Sequence, residues 1–442
     1  MIIDSLAGGF VIGKLRAISD DKKRLFSNFF SLSVLQGANY LLPLITLPYL
    51  VRVLGPEKFG LVAFAQAFIQ YFVILTDYGF NLSATKEISI HRENRQKVSE
   101  IFTSVLTIKF VLMVLSLILL CAVVFSFSKF KSDWQIYFLT FGMVIGQVLF
   151  PVWLFQGMER MKYIAFLNIL AKTIFTVAVF IFIKHSSDYF YVPLINSVGF
   201  LVSGVLALRI AKKNFGIGIN TSGITARGMY TYLKEGFSVF SSLVSSTLLY
   251  RSPTVFIGVL LNYSMVGFYS AAEKIVSALK GIILIFNQTV YPRLSKLVVE
   301  SKYRYFKAWY RCLWVGLALS TLLFICLSIF AEKLIITLFT AEYEYSIFIL
   351  KFLSISLIFC SIINWLGLLG MLVQGYAKQL AYSQIGPVLL FIALSLFALK
   401  YCNLPVYIGF FLFTEILIIF YRLCFLHKKG VFKEAFKVLA NG

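Results

Sequence analysis

The sequence predicts an all-α polytopic membrane protein of about twelve transmembrane helices, with both termini on the cytoplasmic side. Three observations carry this. Of 442 residues, 60% are hydrophobic and only 14% are charged, against about 45–50% and about 25% in soluble domains. The apolar residues come in runs of roughly 20, the length that crosses a bilayer as a helix. The basic residues are spread unevenly over alternate connections, as the positive-inside rule requires. The mean hydropathy of +0.86 agrees. So do the aromatics, 46 Phe and 24 Tyr, which suit lipid-facing and interfacial helix surfaces.

Hydropathy places the spans at 29–51, 59–79, 102–127, 134–156, 164–184, 190–209, 237–261, 266–290, 309–331, 346–372, 382–400 and 405–425. Residues 1–28 form a cytoplasmic leader that ends in Lys22-Lys23-Arg24 and has no basic segment ahead of its apolar part, so it is not a cleavable signal peptide. With the N-terminus inside, and with the span-end residues Lys184, Arg209, Arg311, Lys400 and Arg422 counted with the adjoining connections (Arg422 with the tail), the cytoplasmic segments hold 28 Lys and Arg, the outside segments 7 and the spans 6, which accounts for all 41. The Gly-containing connection 210–236 divides the chain into a lobe at 29–209 and a second at 237–425. A weak internal repeat supports two halves: Gln156-Gly157-Met158-Glu159-Arg160 after span 4, and Gln374-Gly375-Tyr376-Ala377-Lys378 after span 10. The tail, 426–442, carries Phe432, Phe436 and Leu439 at helical spacing among lysines. It is expected to lie on the inner membrane surface.

The net charge of +22 would suggest nucleic acid in a soluble protein. Here no hydrophilic basic domain exists to bind it, and inside-facing loops on an anionic leaflet account for the excess. Six scattered Cys lack any C-x-x-C spacing, and His91, His185 and His427 lie far apart, so neither a metal site nor a disulfide framework is expected. There is no P-loop, no H-E-x-x-H and no nucleophile elbow. The chain reads as a non-enzyme with no cofactor.

Charge inside a bilayer is costly and marks function or pairing. Arg251 and Lys172 fall near the middle of their spans, Lys172 beside Asn168, and Lys274 and Lys280 share span 8. These four are candidate walls of a cationic cavity. Gln36 and Asn39 line one face of span 1, and Gln66 and Gln70 one face of span 2. Arg52 clusters with Glu57 and Lys58 in the turn between them. Asp77, Glu273 and Glu415 are the acids available for ion coupling; Glu273, seven residues before Lys280, is a candidate partner for it. Lys109 and Lys351 lie near span ends, where snorkelling to the interface is expected. A serine stripe on span 7, Ser238, Ser242, Ser245 and Ser252, reads equally as cavity wall or as helix–helix glue, and Pro253 is expected to kink that helix.

Five segments, in order, resemble the Wzx-type polysaccharide flippases of the MOP superfamily (multidrug, oligosaccharidyl-lipid and polysaccharide exporters). They are the turn Pro48 to Gly60, the run Asp77 to Lys86, Trp153 to Arg160, Val266 to Ile275, and Tyr291 to Ser295. One departure is visible: family members often carry an Asp in helix 7 where this chain reads Tyr250-Arg251-Ser252-Pro253. The resemblance implies two six-helix lobes around a V-shaped cavity that opens alternately to either side. It implies translocation of an undecaprenyl-pyrophosphate-linked oligosaccharide, such as an O-antigen repeat unit, across the bacterial inner membrane. Membrane lipid and other polysaccharide-assembly proteins are the implied partners. A drug or cation exporter of the same superfamily would prefer an acidic cavity. A membrane-embedded polymerase or ligase would need a large external loop, and the longest outside segment is 331–345.

Overall fold

The computed structural model describes residues 3–219, 226–397 and 403–440; Lys400 and Cys402 lie outside these, as do the side chains of Ser238 and Ser242. Every regular element among the described residues is a helix. The N-lobe comprises α1 (Ile3–Asp77), α2 (Phe80–Ile90), α3 (Arg95–Ser126), α4 (Ser128–Lys131), α5 (Trp134–Val148), α6 (Val152–Gly157), α7 (Met161–Phe182) and α8 (Tyr191–Phe215). The C-lobe comprises α9 (Ala226–Leu260), α10 (Tyr263–Glu300), α11 (Lys302–Leu338), α12 (Tyr345–Asn364), α13 (Ala377–Phe397), α14 (Leu404–Lys428) and α15 (Val431–Ala440). Asn94, Asn262, Ser301 and Asn403 start α3, α10, α11 and α14, each accepting a backbone N–H from three residues on. These caps satisfy donors that the first helical turn leaves free.

Ten described stretches are long and apolar enough to cross a membrane. The first, Leu35–Ile90, covers two of the spans read from the sequence, because α1 is broken at Gly55 (φ 69°, ψ 173°). Pro56 drives the residue before it to an extended ψ, and only glycine takes that ψ at positive φ without strain. α10 is not among the ten; Glu273, Lys274 and Lys280 interrupt its apolar run.

The lobes meet chiefly through the second half of α1 against α9 and α10. The approach is closest at two glycines. A Cβ on Gly60 would fall 1.8 Å from the carbonyl oxygen of Tyr263, and one on Gly267 would fall 2.1 Å from that of Pro56. Beside them, two N-lobe cations cap C-lobe helices. Arg52 Nε donates to the carbonyls of Leu338 at 2.9 Å and Phe339 at 3.0 Å, and its Nη2 donates to Thr337. Lys129 Nζ donates to Val259 at 2.9 Å and Leu261 at 3.2 Å. Carbonyls at helix C-termini lack intrahelical donors, so cations there gain both hydrogen bonds and a favourable dipole. At the other end of α9, Phe240 stacks on Tyr78 with centroids 4.5 Å apart. α9 runs on as one helix through Pro253.

The repeated turns correspond in backbone but not letter for letter. Met158, Glu159 and Arg160 donate to Leu154, Gln156 and Phe155; Gln374, Gly375 and Tyr376 donate to Gly370, Leu372 and Met371. The equivalent left-handed residues are therefore Glu159 (φ 54°) and Gly375 (φ 85°), two positions off the Gln-Gly match in the sequence. Glu159 is held there by Arg92, which donates to its Oε1 at 2.8 Å and to the Gly157 carbonyl at 3.1 Å.

In the C-lobe, α12 continues as a π-helical stretch, Trp365–Leu372. Side chains take the carbonyls of this widened backbone. Tyr305 donates to Leu369 at 3.1 Å, and Arg422 donates to Ile363 at 2.6 Å while also holding Ser383 Oγ at 3.0 Å. Trp309 and Trp365 each donate to the other's carbonyl, at 3.2 and 2.9 Å, with rings 4.4 Å apart. Arg422, counted above among the tail charges, is thus a buried structural group. α15 turns Val431 and Ala435 inward and leaves Phe436 79% exposed. The covered face is therefore rotated from the Phe432, Phe436, Leu439 stripe.

Candidate functional site

Between the lobes lies a cavity of about 780 Å³, inside the range of ligand sites. α1 contributes Asn39, Gln66 and Gln70, α9 contributes Arg251, and α10 contributes Glu273, Lys274 and Lys280. These residues are remote in sequence and come together because α1 packs along α9 and α10 on both sides of its break at Gly55. Hydroxyls and amides extend the polar wall: Thr254, Ser270 and Ser277, then Ser356 and Asn364 from α12 and Asn196 from α8. Sequence periodicity did not single out this second group, whose small hydroxyls and amides are scattered among other polar residues of their helices.

Among the described residues the lining charges are three cations and one anion. Arg251 has no ion pair or hydrogen bond among the described residues, and it acts electrostatically on Tyr71 and Lys274. Lys274 Nζ lies 5.1 Å over the Phe59 ring, a cation–π contact that leaves its donors free. Glu273 Oε1 accepts from Ser277 Oγ at 2.6 Å. It does not pair with Lys280, which donates to Glu415 Oε1 at 3.0 Å. The reason is distance along the helix: at about 1.5 Å per residue, seven residues separate two groups by about 10 Å, beyond the three- or four-residue reach of helix ion pairs.

The remaining candidates lie elsewhere. Asp77 accepts from Lys109 Nζ at 3.3 Å and from Asn81 Nδ2 at 2.8 Å. Lys109 does not snorkel: its side chain is 3% exposed and its ammonium sits 4.6 Å over the Trp153 ring. Asn168 donates to its own Ile164 carbonyl at 2.9 Å. Lys172 and Gln36 are half-buried and are not among the cavity-lining residues. Arg52 is the helix cap already described. Ser245 donates to the Ser241 carbonyl of its own helix at 2.9 Å, while Ser252 meets Tyr71 Oη at 3.0 Å and so ties α9 to α1; neither is among the cavity-lining residues. Among the described residues no group of His, Cys, Asp and Glu could hold a metal ion.

Removing one member of a buried ion pair leaves an uncompensated charge. Lys109→Met should therefore destabilise the protein by about 3 kcal/mol, the low end for such pairs because Asp77 keeps some exposure. A fall in the melting temperature in detergent, largely restored by adding Asp77→Asn, is the expected result. An unchanged melting temperature for Lys109→Met would show the pair to be dispensable.

Two helical lobes around a central cleft are the fold of MOP-superfamily membrane transporters, and the chain's curated relatives carry transporter names, not enzyme names. A MATE-family multidrug resistance transporter of the MOP superfamily, in an inward-facing conformation, superposes with a TM-score of 0.72 at 14% identity, over 89% of this chain and 96% of that one. The lipid II flippase MurJ, in an inward closed conformation, gives 0.65 at 16% identity, over 95% and 90%. The chain belongs to the polysaccharide biosynthesis protein family, whose model matches residues 25–298. A relative from Escherichia coli (strain K12), provisionally named an O-antigen transporter, is 33% identical over 82% of this chain and 87% of its own length. One from Shigella dysenteriae with the same provisional name is 28% identical over 61% and 67%.

Proposed function

We propose that the protein is a flippase that moves an undecaprenyl-pyrophosphate-linked oligosaccharide, an O-antigen unit or similar repeat, from the cytoplasmic to the periplasmic leaflet of the bacterial inner membrane. The observation that carries this reading is Arg251, a guanidinium on the wall of the interlobe cavity with no partner among the described residues. Guanidinium and ammonium groups bind phosphate oxygens through charge-assisted bonds. Asn39, Gln66 and Gln70 supply the amides that sugar hydroxyls need. Leu44 both lines the cavity and is 40% exposed, beside exposed Leu41 and Ile45, an apolar edge along which the lipid tail stays in the bilayer. The relatives' provisional names support a carbohydrate cargo. A drug-cation exporter is disfavoured by the same three-to-one excess of bases over acids.

A diphosphate carries about two negative charges, and each gains roughly 2.3 kcal/mol per 100 mV on leaving an inside-negative cell. Transport should thus need no nucleotide and should accelerate with inside-negative potential. Headgroup exposure in oriented proteoliposomes, with potassium–valinomycin gradients setting the potential, checks this. A rate indifferent to potential but steep in a proton or sodium gradient would replace it with ion-coupled transport.

A further inference from the structure

We propose that Lys280 and Glu415 form an exchange pair: a diphosphate entering the cavity takes the Lys280 ammonium from Glu415, and Glu415 binds a proton as it loses its counter-charge. The proposal rests on the cavity reading above and adds to it a linkage between substrate and protons.

The two partners face different surroundings. Lys280 lines the cavity, its Nζ 5.4 Å over the Phe411 ring and 5.8 Å over that of Tyr250. Glu415, on α14 behind that wall, is 1% exposed. Its Oε1 accepts from Lys280, and its Oε2 has no hydrogen-bond partner among the described residues. The other ionisable groups near the pair are Tyr250 on α9, Tyr269 on α10 and Cys360 on α12. None of them supplies a positive charge. Arg422, on Glu415's own helix, lies seven residues on, and its guanidinium is engaged by Ile363 and Ser383. α13 brings Ser383 to that arginine and forms no ion pair with α14 among the described residues. Lys280 is therefore Glu415's one counter-ion among the described residues.

The exchange follows from this geometry. When a phosphate oxygen reaches Lys280, the N–H···O bond to the carboxylate breaks and one to the phosphate forms. The carboxylate is left in a dry site with no cation. A buried charge so exposed neutralises rather than remains, here by taking a proton from cavity water. When the diphosphate leaves, the proton returns to water and the ion pair re-forms. About one proton is bound per diphosphate, so by linkage the affinity rises as pH falls.

The test uses the purified full chain and farnesyl diphosphate, with calorimetry in buffers of different ionisation heat to count protons. The probe's own proton changes are common to all variants and cancel. Wild type should take up about one proton more per ligand than Glu415→Gln, and Glu415→Gln should bind about tenfold tighter above neutral pH because its Lys280 is already free. The double variant Lys280→Met/Glu415→Leu removes both charges and leaves none uncompensated. It should bind more weakly than wild type, with the Glu415→Gln proton count. Equal proton counts in wild type and Glu415→Gln, with binding intact, would overturn the exchange pair alone. No binding of farnesyl diphosphate by wild type at any pH would overturn the cavity reading with it.

Discussion

Replacing Arg251 by alanine should abolish surface polysaccharide while the protein still inserts and accumulates. Each charge-assisted bond to a phosphate is worth about 1.5–3 kcal/mol. Loss of the guanidinium should therefore cut transport by roughly 10- to 150-fold, since each 1.4 kcal/mol is a factor of about ten. Arg251→Lys should retain more activity than the alanine variant, because charge survives while the bidentate fork is lost. Lys274→Ala should approach the Arg251→Ala defect. Lys172→Ala should transport better than either, since Lys172 is not among the residues lining the cavity. Normal polysaccharide from Arg251→Ala cells would remove the diphosphate site from this cavity.

Alanine at Gly60 or Gly267 is expected to force the lobes apart where they lie closest. The atoms in the way are backbone carbonyl oxygens, 1.8 and 2.1 Å from the new Cβ. They cannot swing aside as a side chain would. Overpacking of this kind costs about 1–3 kcal/mol, enough to shift a two-state equilibrium by roughly 5- to 150-fold. Transport should fall by a similar factor. Spin labels at Glu57→Cys and Glu344→Cys, both exposed and one on each lobe, should report a longer or broader distance in Gly60→Ala. An unaltered distance distribution with full transport would mean that this contact does not govern lobe closure.

The fold class was legible because hydropathy and loop charge are one-dimensional signals that the bilayer imposes directly. So were Arg251, Lys274, Lys280, Asn39, Gln66 and Gln70, whose polarity stands out within apolar runs. The partners of buried charges were not. Lys280 finds Glu415 from 135 residues away and Arg52 finds Phe339 from 287, and periodicity compares only neighbours on one helix. For the same reason Lys109 read as a snorkelling residue and Arg422 as a tail charge. The Gln-Gly repeat pointed to the right two turns in the wrong register. Backbone hydrogen bonding constrains the left-handed position, and Arg92 lets Glu159 occupy what Gly375 fills in the other half.

The contact at Gly60 and Gly267 is reciprocal: each glycine meets the carbonyl four positions before the other. In the vocabulary of oligomers this is an isologous contact, in which one patch meets its own counterpart about a two-fold axis. Here the two patches belong to one chain. A half with a glycine at this position already carries both sides of this joint, the gap and the helix backbone that fills it. Two copies of such a half would meet at this point without any change in sequence there, and joining them end to end would keep the local axis between them; the Arg52 and Lys129 caps, both from the N-lobe, are where the two halves differ.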